Sequence, residues 1–292
     1  MTTAIHTRHE RDSILTTAIF ARRTTLLMAF TAACFLGSVT PALATCNAED
    51  AAPGVRWGGC DLRDQDLRDV DLSRALLSRS DARGVRFNNS LLEGSVFTRA
   101  QLDDADFTDA RMRRIDISGS EAPGLILDGA DLLGARATSL VAPGMQMQGS
   151  DGRDVRFTDA VLDNSRFNGS DLRGASFDRA RLDNSDFTDA TLAEASFSRA
   201  SLRSVRLQEV DLDDTRLTDA NLEGADLRGA SLRGADLSNA NLSNVDLRDA
   251  DLTQARLSGA NITDTRFDGA SLDRTVWIDR RTCRRGSVGV CE

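Results

Sequence analysis

The groups able to do chemistry in this chain are carboxylates and thiols, because most others are missing. All 36 basic residues are Arg, Tyr is absent, and the only histidines are His6 and His9. Beyond residue 44 there is no imidazole, amine side chain or phenol, which removes serine triads, Ser–Lys dyads, lysine chemistry and His-based metal sites. Carboxylate catalysis alone stays open. Asp131, Asp151, Asp171, Asp211 and Asp251, with Asp71 before them, recur at multiples of twenty residues. That column is the candidate binding surface, a stripe for a cation or a basic partner. Arg113, Arg153, Arg173 and Arg233, two positions on, are placed to neutralise it. Cys46, Cys60, Cys283 and Cys291 form an even set, as a disulfide framework requires.

The first 44 residues read as a bacterial secretory signal peptide. Arg22 and Arg23 precede an apolar run from about Leu26 to Val39, followed by Pro41 and an Ala42-Leu43-Ala44 cleavage site. The run is too short for a comfortable membrane span. Arg22-Arg23 leaves the Sec and twin-arginine routes both open, and the long segment before it leaves the true start open. Cleavage after Ala44 takes four Arg and two acids from 36 and 45, leaving 32 Arg, 43 acids and a net charge of −11. The predicted location is periplasmic or extracellular.

Those groups must be positioned by something other than an ordinary helix or sheet. An apolar residue falls at every number ending in 2 or 7, from Trp57 through Leu67, Phe107, Leu202 and Leu252 to Trp277, with a small residue two before it. The exceptions in size are concentrated between Ser120 and Asp154. A period of five matches neither the 2 of a strand nor the 3.6 of a helix. If each unit is a short extended side plus a tight turn, the central and minus-two residues point inward, and four sides close a square. Three features give the coil twenty residues. All nine Phe beyond the leader fall on two facing walls: Phe87, Phe107, Phe167, Phe187 and Phe267 on one, Phe97, Phe157, Phe177 and Phe197 on the other. A hydroxyl column runs Ser78, Thr98, Ser118, Thr138 and Thr158. Ala122-Pro123-Gly124 recurs as Ala142-Pro143-Gly144, and Pro then Gly suit a type II turn, which fixes the corner.

The Ala-(Asp/Asn)-Leu register, clearest in ANLEGADLRGASLRGADL from Ala220 to Leu237, resembles the pentapeptide-repeat family over nearly all of residues 52–277. The resemblance implies an all-β fold, a right-handed quadrilateral β-helix. Coils spaced like strands give about eleven turns of 20 residues and a rod of about 50 Å. The expected organisation is a signal peptide at 1–44, a disulfide-closed N-terminal cap at 45–61, repeats at 52–277 and a disulfide-closed C-terminal cap at 278–292. Such a rod keeps its ends beyond the roughly 7 Å Cα reach of a disulfide, so Cys46 is predicted to pair with Cys60 and Cys283 with Cys291. Between Ser120 and Asp154 the central residues include Ala122, Ala137, Ala142 and Gly152. This predicts a thinned or bent middle.

No inserted loop forms a cleft, and carboxylates lie everywhere, so two nearby Asp are no sign of glycosidase chemistry. The hydroxyl column suits a flat docking surface or a corner preference. Arg280, Arg281, Arg284 and Arg285 make a basic tip. The sequence predicts a non-catalytic exported rod, without cofactor or metal, that binds a protein or cell-envelope partner or serves as structure. No nucleic-acid partner and no membrane span are expected, and self-association stays open. The alternative that the family resemblance implies is a DNA-mimicking inhibitor of type II topoisomerase that protects gyrase from quinolones. Net charge favours it and export opposes it.

Overall fold

A computed structural model describes residues 46–292. The chain divides into two units, Met1–Ala42 and Leu43–Glu292; the described residues belong to the second, and the expected leader lies outside them. Each five-residue unit builds one side in the same way. Central residues such as Leu62, Leu102 and Leu232 and minus-two residues such as Ala75, Ala105 and Ala230 are buried, while the residue between them faces out. Two turn residues follow the centre. The next minus-two N–H then donates back to the central carbonyl, as from Ala75 to Leu72 at 3.0 Å and from Ala230 to Leu227 at 3.1 Å.

The second turn residue holds a positive φ throughout the repeats, from 54° at Asp104 and Ser204 to 74° at Gly259 and Gly269. Gly fits that conformation freely and Asn or Asp tolerates it best, which is why these types crowd the numbers ending in 4 and 9. Pro123-Gly124 and Pro143-Gly144 occupy the two turn positions of their corners, with the Gly at φ 70° and 73°.

Twenty residues make one coil. Parallel bridges join residue i to i+20 from Arg56↔Leu76 to Arg256↔Val276. The hydrogen bonds alternate direction: Leu62 N–H donates up to Asp81 O at 2.8 Å, and Asp81 N–H donates down to Cys60 O at 2.8 Å. We number the walls by their central residues, the first through Leu62, the second through Leu67, the third through Leu72 and the fourth through Leu77. Phe rings stack along the second wall, with Phe167 and Phe187 4.4 Å apart and 3° from parallel. They also stack along the fourth, Phe177 on Phe197 at 4.9 Å. Across the core the two stacks meet edge to face, as Phe87 and Phe97 do at 5.7 Å. Both arrangements suit the ring quadrupole.

The middle is not thinned. Where the central residue shrinks to Ala122, Ala137 or Ala142, the inward residue beyond the corner grows to Leu125, Leu140 or Met145, each fully buried. Volume has changed places within the layer rather than disappeared. The ladder continues unbroken, with Ala122, Ala137, Ala142 and Gly152 N–H each 2.8 Å from the next coil's carbonyl.

Both ends carry something other than a repeat. At the N-terminus a 3-10 turn, Ala48–Asp50, is tied to the first coil by the Cys46–Cys60 disulfide, Cα–Cα 5.9 Å. Gln65 Nε2 adds a hydrogen bond to Cys46 O at 2.8 Å. At the C-terminus the chain reverses and pairs antiparallel with the last coil, Val276 with Thr282 and Ser271 with Val288. The Cys283–Cys291 disulfide, Cα–Cα 4.9 Å, closes that return. It covers the edges of the third and fourth walls, an arrangement that blunts strand-to-strand aggregation there.

Candidate functional site

Outward residues occupy three places per unit, and where an Asp-x-Arg triplet is centred on the inward residue its Asp and Arg emerge on the same side. Asp151 and Arg153 show the result: Nε and Nη2 of Arg153 donate to the two carboxylate oxygens at 2.8 and 2.6 Å. The same fork joins Asp61 with Arg63, Asp66 with Arg68, Asp81 with Arg83, Asp171 with Arg173, Asp226 with Arg228 and Asp246 with Arg248. A planar guanidinium matches a carboxylate in this geometry and an ammonium does not, consistent with a chain rich in Arg and free of Lys. The Arg63 side-chain hydrogen bonds hold the Asp61 carboxyl down at about 2, and Arg68 does the same for Asp66. The neutralisation expected of Arg153 and Arg173 takes this form, and the repeated text Asp-Leu-Arg carries it to the other walls.

The candidate Asp column lies on the third wall. Asp131, Asp151 and Asp171 occupy consecutive rungs, while Thr191 and Ser231 separate Asp211 and Asp251 from them and from each other. Asp131 accepts from Arg113 Nε at 2.5 Å, and Asp171 is forked by Arg173. Asp211 accepts from the Asp213 N–H at 3.0 Å, and Asp251 from the Thr253 N–H at 2.9 Å and Arg233 Nη1 at 3.1 Å. The column is thus held together by its own arginines and turn amides. Among the described residues no group of three or more His, Cys, Asp or Glu is arranged to hold a metal ion.

Asp183 on the first wall is the most enclosed acid, 6% exposed. Burial pushes its carboxyl up, but hydrogen bonds from Arg203 and Ser201 outweigh it and leave the carboxyl below the ordinary range. Ser201 Oγ lies at 2.6 Å and the Arg203 N–H at 3.0 Å, so this group is structural glue and not an idle acid. Buried hydroxyls behave likewise: Ser90 Oγ donates to Leu67 O at 2.6 Å and Ser120 Oγ to Phe97 O at 2.7 Å, each reaching into the coil before.

The hydroxyl column is on the fourth wall, half-buried, with Ser78 Oγ and Thr98 Oγ1 2.8 Å apart. It floors a shallow open groove that runs from Gly58 to Ser139 and takes in Arg79 and Arg99 at its rim. Among the described residues no helix is long and apolar enough to cross a membrane.

Two family models match the chain. "Pentapeptide repeats" matches in eight copies over residues 54–81, 83–119, 215–254 and 240–276, and "Pentapeptide repeat region" matches over 153–217. Among solved structures, HetL from the cyanobacterium Nostoc sp. strain PCC 7120, described as a pentapeptide repeat protein involved in heterocyst differentiation regulation, is 31% identical. That match covers 74% of this chain and 91% of HetL, with a TM-score of 0.39. A trypsin-treated form of QnrB1, a plasmid-mediated fluoroquinolone resistance protein, is 20% identical over 63% of this chain and 91% of its own, TM-score 0.35. Rfr23 from the cyanobacterium Cyanothece 51142 is 29% identical over 45% of this chain and 90% of its own, TM-score 0.22. No curated protein matches. With the five-residue register and the inward and corner positions in place, these matches show that the chain belongs to the pentapeptide-repeat family.

Proposed function

We propose that this protein is a non-catalytic, exported rod, a right-handed quadrilateral β-helix of about eleven coils that acts as a binding or structural module in the periplasm or outside the cell. The observation that carries the reading is the state of its polar groups. The carboxylates that might have done acid–base work are forked by Arg or hydrogen-bonded by turn amides, and the depressions on the walls are shallow and open. A catalytic carboxyl needs a raised pKa or an enclosed substrate; the carboxyls of Asp151, Asp171, Asp226 and Asp251 are lowered instead, and Asp103, which burial raises, lies in an open depression. Export accords with the charged, apolar and Ala-x-Ala run of the first 44 residues, and with a fold whose two termini each carry a disulfide. The partner is a protein or envelope component met by one of the flat walls.

Fractionation of the producing cell with N-terminal sequencing tests this reading, followed by cross-linking in the compartment where the protein is found. A mature chain starting at Thr45 with both disulfides formed is the expected result. An uncleaved cytosolic chain that inhibits DNA supercoiling, or a hydrolase or lyase activity abolished by one Asp substitution, would sink it.

A further inference from the structure

The four corners of the coil are not used alike. Seven arginines take the positive-φ corner position within the repeats: Arg74, Arg79, Arg99, Arg114, Arg179, Arg199 and Arg274. All seven stand at the two corners that edge the fourth wall; the other two corners hold Gly, Asp, Asn, Ser and Glu there. A left-handed conformation costs a residue with a Cβ about 1–2 kcal/mol, and Arg lacks the local hydrogen bonds by which Asn and Asp offset it. Arg is kept at these two corners against the local preference of the backbone.

The four nearest the N-terminus differ again. Arg179 is forked to Asp159, Arg199 faces Asp219 at 3.7 Å and Arg274 meets Asp273 at 3.1 Å. Arg74, Arg79, Arg99 and Arg114 are exposed and make no ion pair among the described residues. Three of them have a seat prepared one coil on. A Cβ added to Gly94 would lie 3.7 Å from Arg74 Cγ, one on Gly119 3.6 Å from Arg99 Cγ, and one on Gly134 3.9 Å from Arg114 Cγ. The stems therefore lie along the rod over glycine corners. Between the two rims run Ser78, Thr98, Ser118 and Thr138, beside Leu76, Val96 and Arg136. The single carboxylate on this floor, Asp116, already accepts the Ser118 N–H at 3.0 Å and lies 3.9 Å from Arg136.

We propose that this stretch of the fourth wall binds an extended acidic polysaccharide, with the four corner arginines clasping its carboxylates and the Ser/Thr floor meeting its hydroxyls. The inference rests on the binding-module reading and names its ligand class. Charge complementarity selects an anion, since the strip sets Arg74, Arg79, Arg99, Arg114 and Arg136 against the single carboxylate of Asp116. A single extended chain can lie on one wall. A duplex would also press against the first and third walls, where forked and turn-bound carboxylates repel it, and no exposed aromatic is present on the strip for unpaired bases to stack on.

The test is binding of polygalacturonate to the mature, disulfide-intact protein at low salt. Arg79→Gln/Arg99→Gln and Arg74→Gln/Arg114→Gln each leave the corner tolerable, since Gln254 already holds φ 62°, and each is expected to weaken binding about tenfold or more. Arg228→Gln/Arg248→Gln on the second wall is expected to leave it unchanged, with circular dichroism the same for all. Absence of polygalacturonate binding, equal binding of its neutral methyl ester, equal loss in the second-wall variant, or tighter binding of a short duplex DNA overturns the proposal. A protein that is exported and cross-links to an envelope partner through another wall, yet ignores the polymer, overturns this inference and leaves the module reading standing.

Discussion

The terminal methyl of Met147 stands where a side chain at residue 152 would begin: a Cβ built on Gly152 would lie 2.5 Å from Met147 Cε and 2.8 Å from Leu172 Cδ2. The glycine at a position where most units carry Leu or Phe is therefore filled space and not a hole. Restoring the majority residue with Gly152→Leu is expected to destabilise the protein by about 1–3 kcal/mol through overpacking. Urea unfolding measures it, and a gain in stability would show that the middle does contain a void.

The Phe stacks make the opposite prediction about removal. Phe177 lies between Phe157 at 5.3 Å and Phe197 at 4.9 Å and meets Phe167 and Phe187 edge to face. Phe177→Ala is expected to cost about 3–5 kcal/mol, because neighbours stacked on both sides cannot collapse into the gap. The same denaturant series reads it, and a loss under about 1 kcal/mol contradicts the packing.

Corner glycines separate backbone strain from crowding. Nothing lies within 4 Å of a Cβ added to Gly144 at φ 73°, whereas at Gly84 it would collide with the Asp64 carboxylate. Gly144→Ala is expected to cost about 1–2 kcal/mol from strain alone, and Gly84→Ala the same strain plus a turn of the exposed Asp64 carboxylate out of the way. Similar losses of melting temperature in both variants are expected, with the Asp64 carboxylate displaced in Gly84→Ala; an unchanged melting temperature for Gly144→Ala would refute the strain.

The Asp–Arg forks make the protein acid-sensitive. Side-chain hydrogen bonds from Arg63 and Arg68 depress the Asp61 and Asp66 carboxyls to about 2; Asp151, Asp171, Asp226 and Asp246 are lowered in the same way. A folded-state pKa below the unfolded value contributes stability above the unfolded value, lost as pH falls through the folded one. The melting temperature should hold between about pH 5 and 8 and fall as pH drops from about 4 to 2. Asp103, raised by burial, opposes the trend as a single group. A melting temperature that rises on acidification would exclude the forks as stabilising.

The walls, the two Phe stacks and the glycine corners were legible in the sequence because each depends on one position of a fixed period. Phe87 and Phe107 had to stack once twenty residues made a coil. The intact middle was not legible from central residues alone. Leu125, Leu140 and Met145 had to be counted with Ala122, Ala137 and Ala142, since a layer is filled by inward residues from both sides of a corner. The antiparallel return at Val276 and Thr282 was hidden because residues 278–292 carry no period. The uneven use of Arg74, Arg79, Arg99 and Arg114 became visible only when the positive φ made Arg an unexpected choice there.

A rod built from one unbroken repeat requires that the fourth wall run straight and in register past residue 152. Spin labels at Leu76→Cys and Arg256→Cys, exposed positions nine rungs apart on one ladder, measure this with the native disulfides intact. The expected separation of the backbones is about 43 Å, in one narrow distribution, with a label at Arg136→Cys about 14 Å from the first. A broad distribution, or a long distance under about 35 Å while the short one holds, would mean that the ladder breaks or bends in the middle, and would contradict a continuous rod.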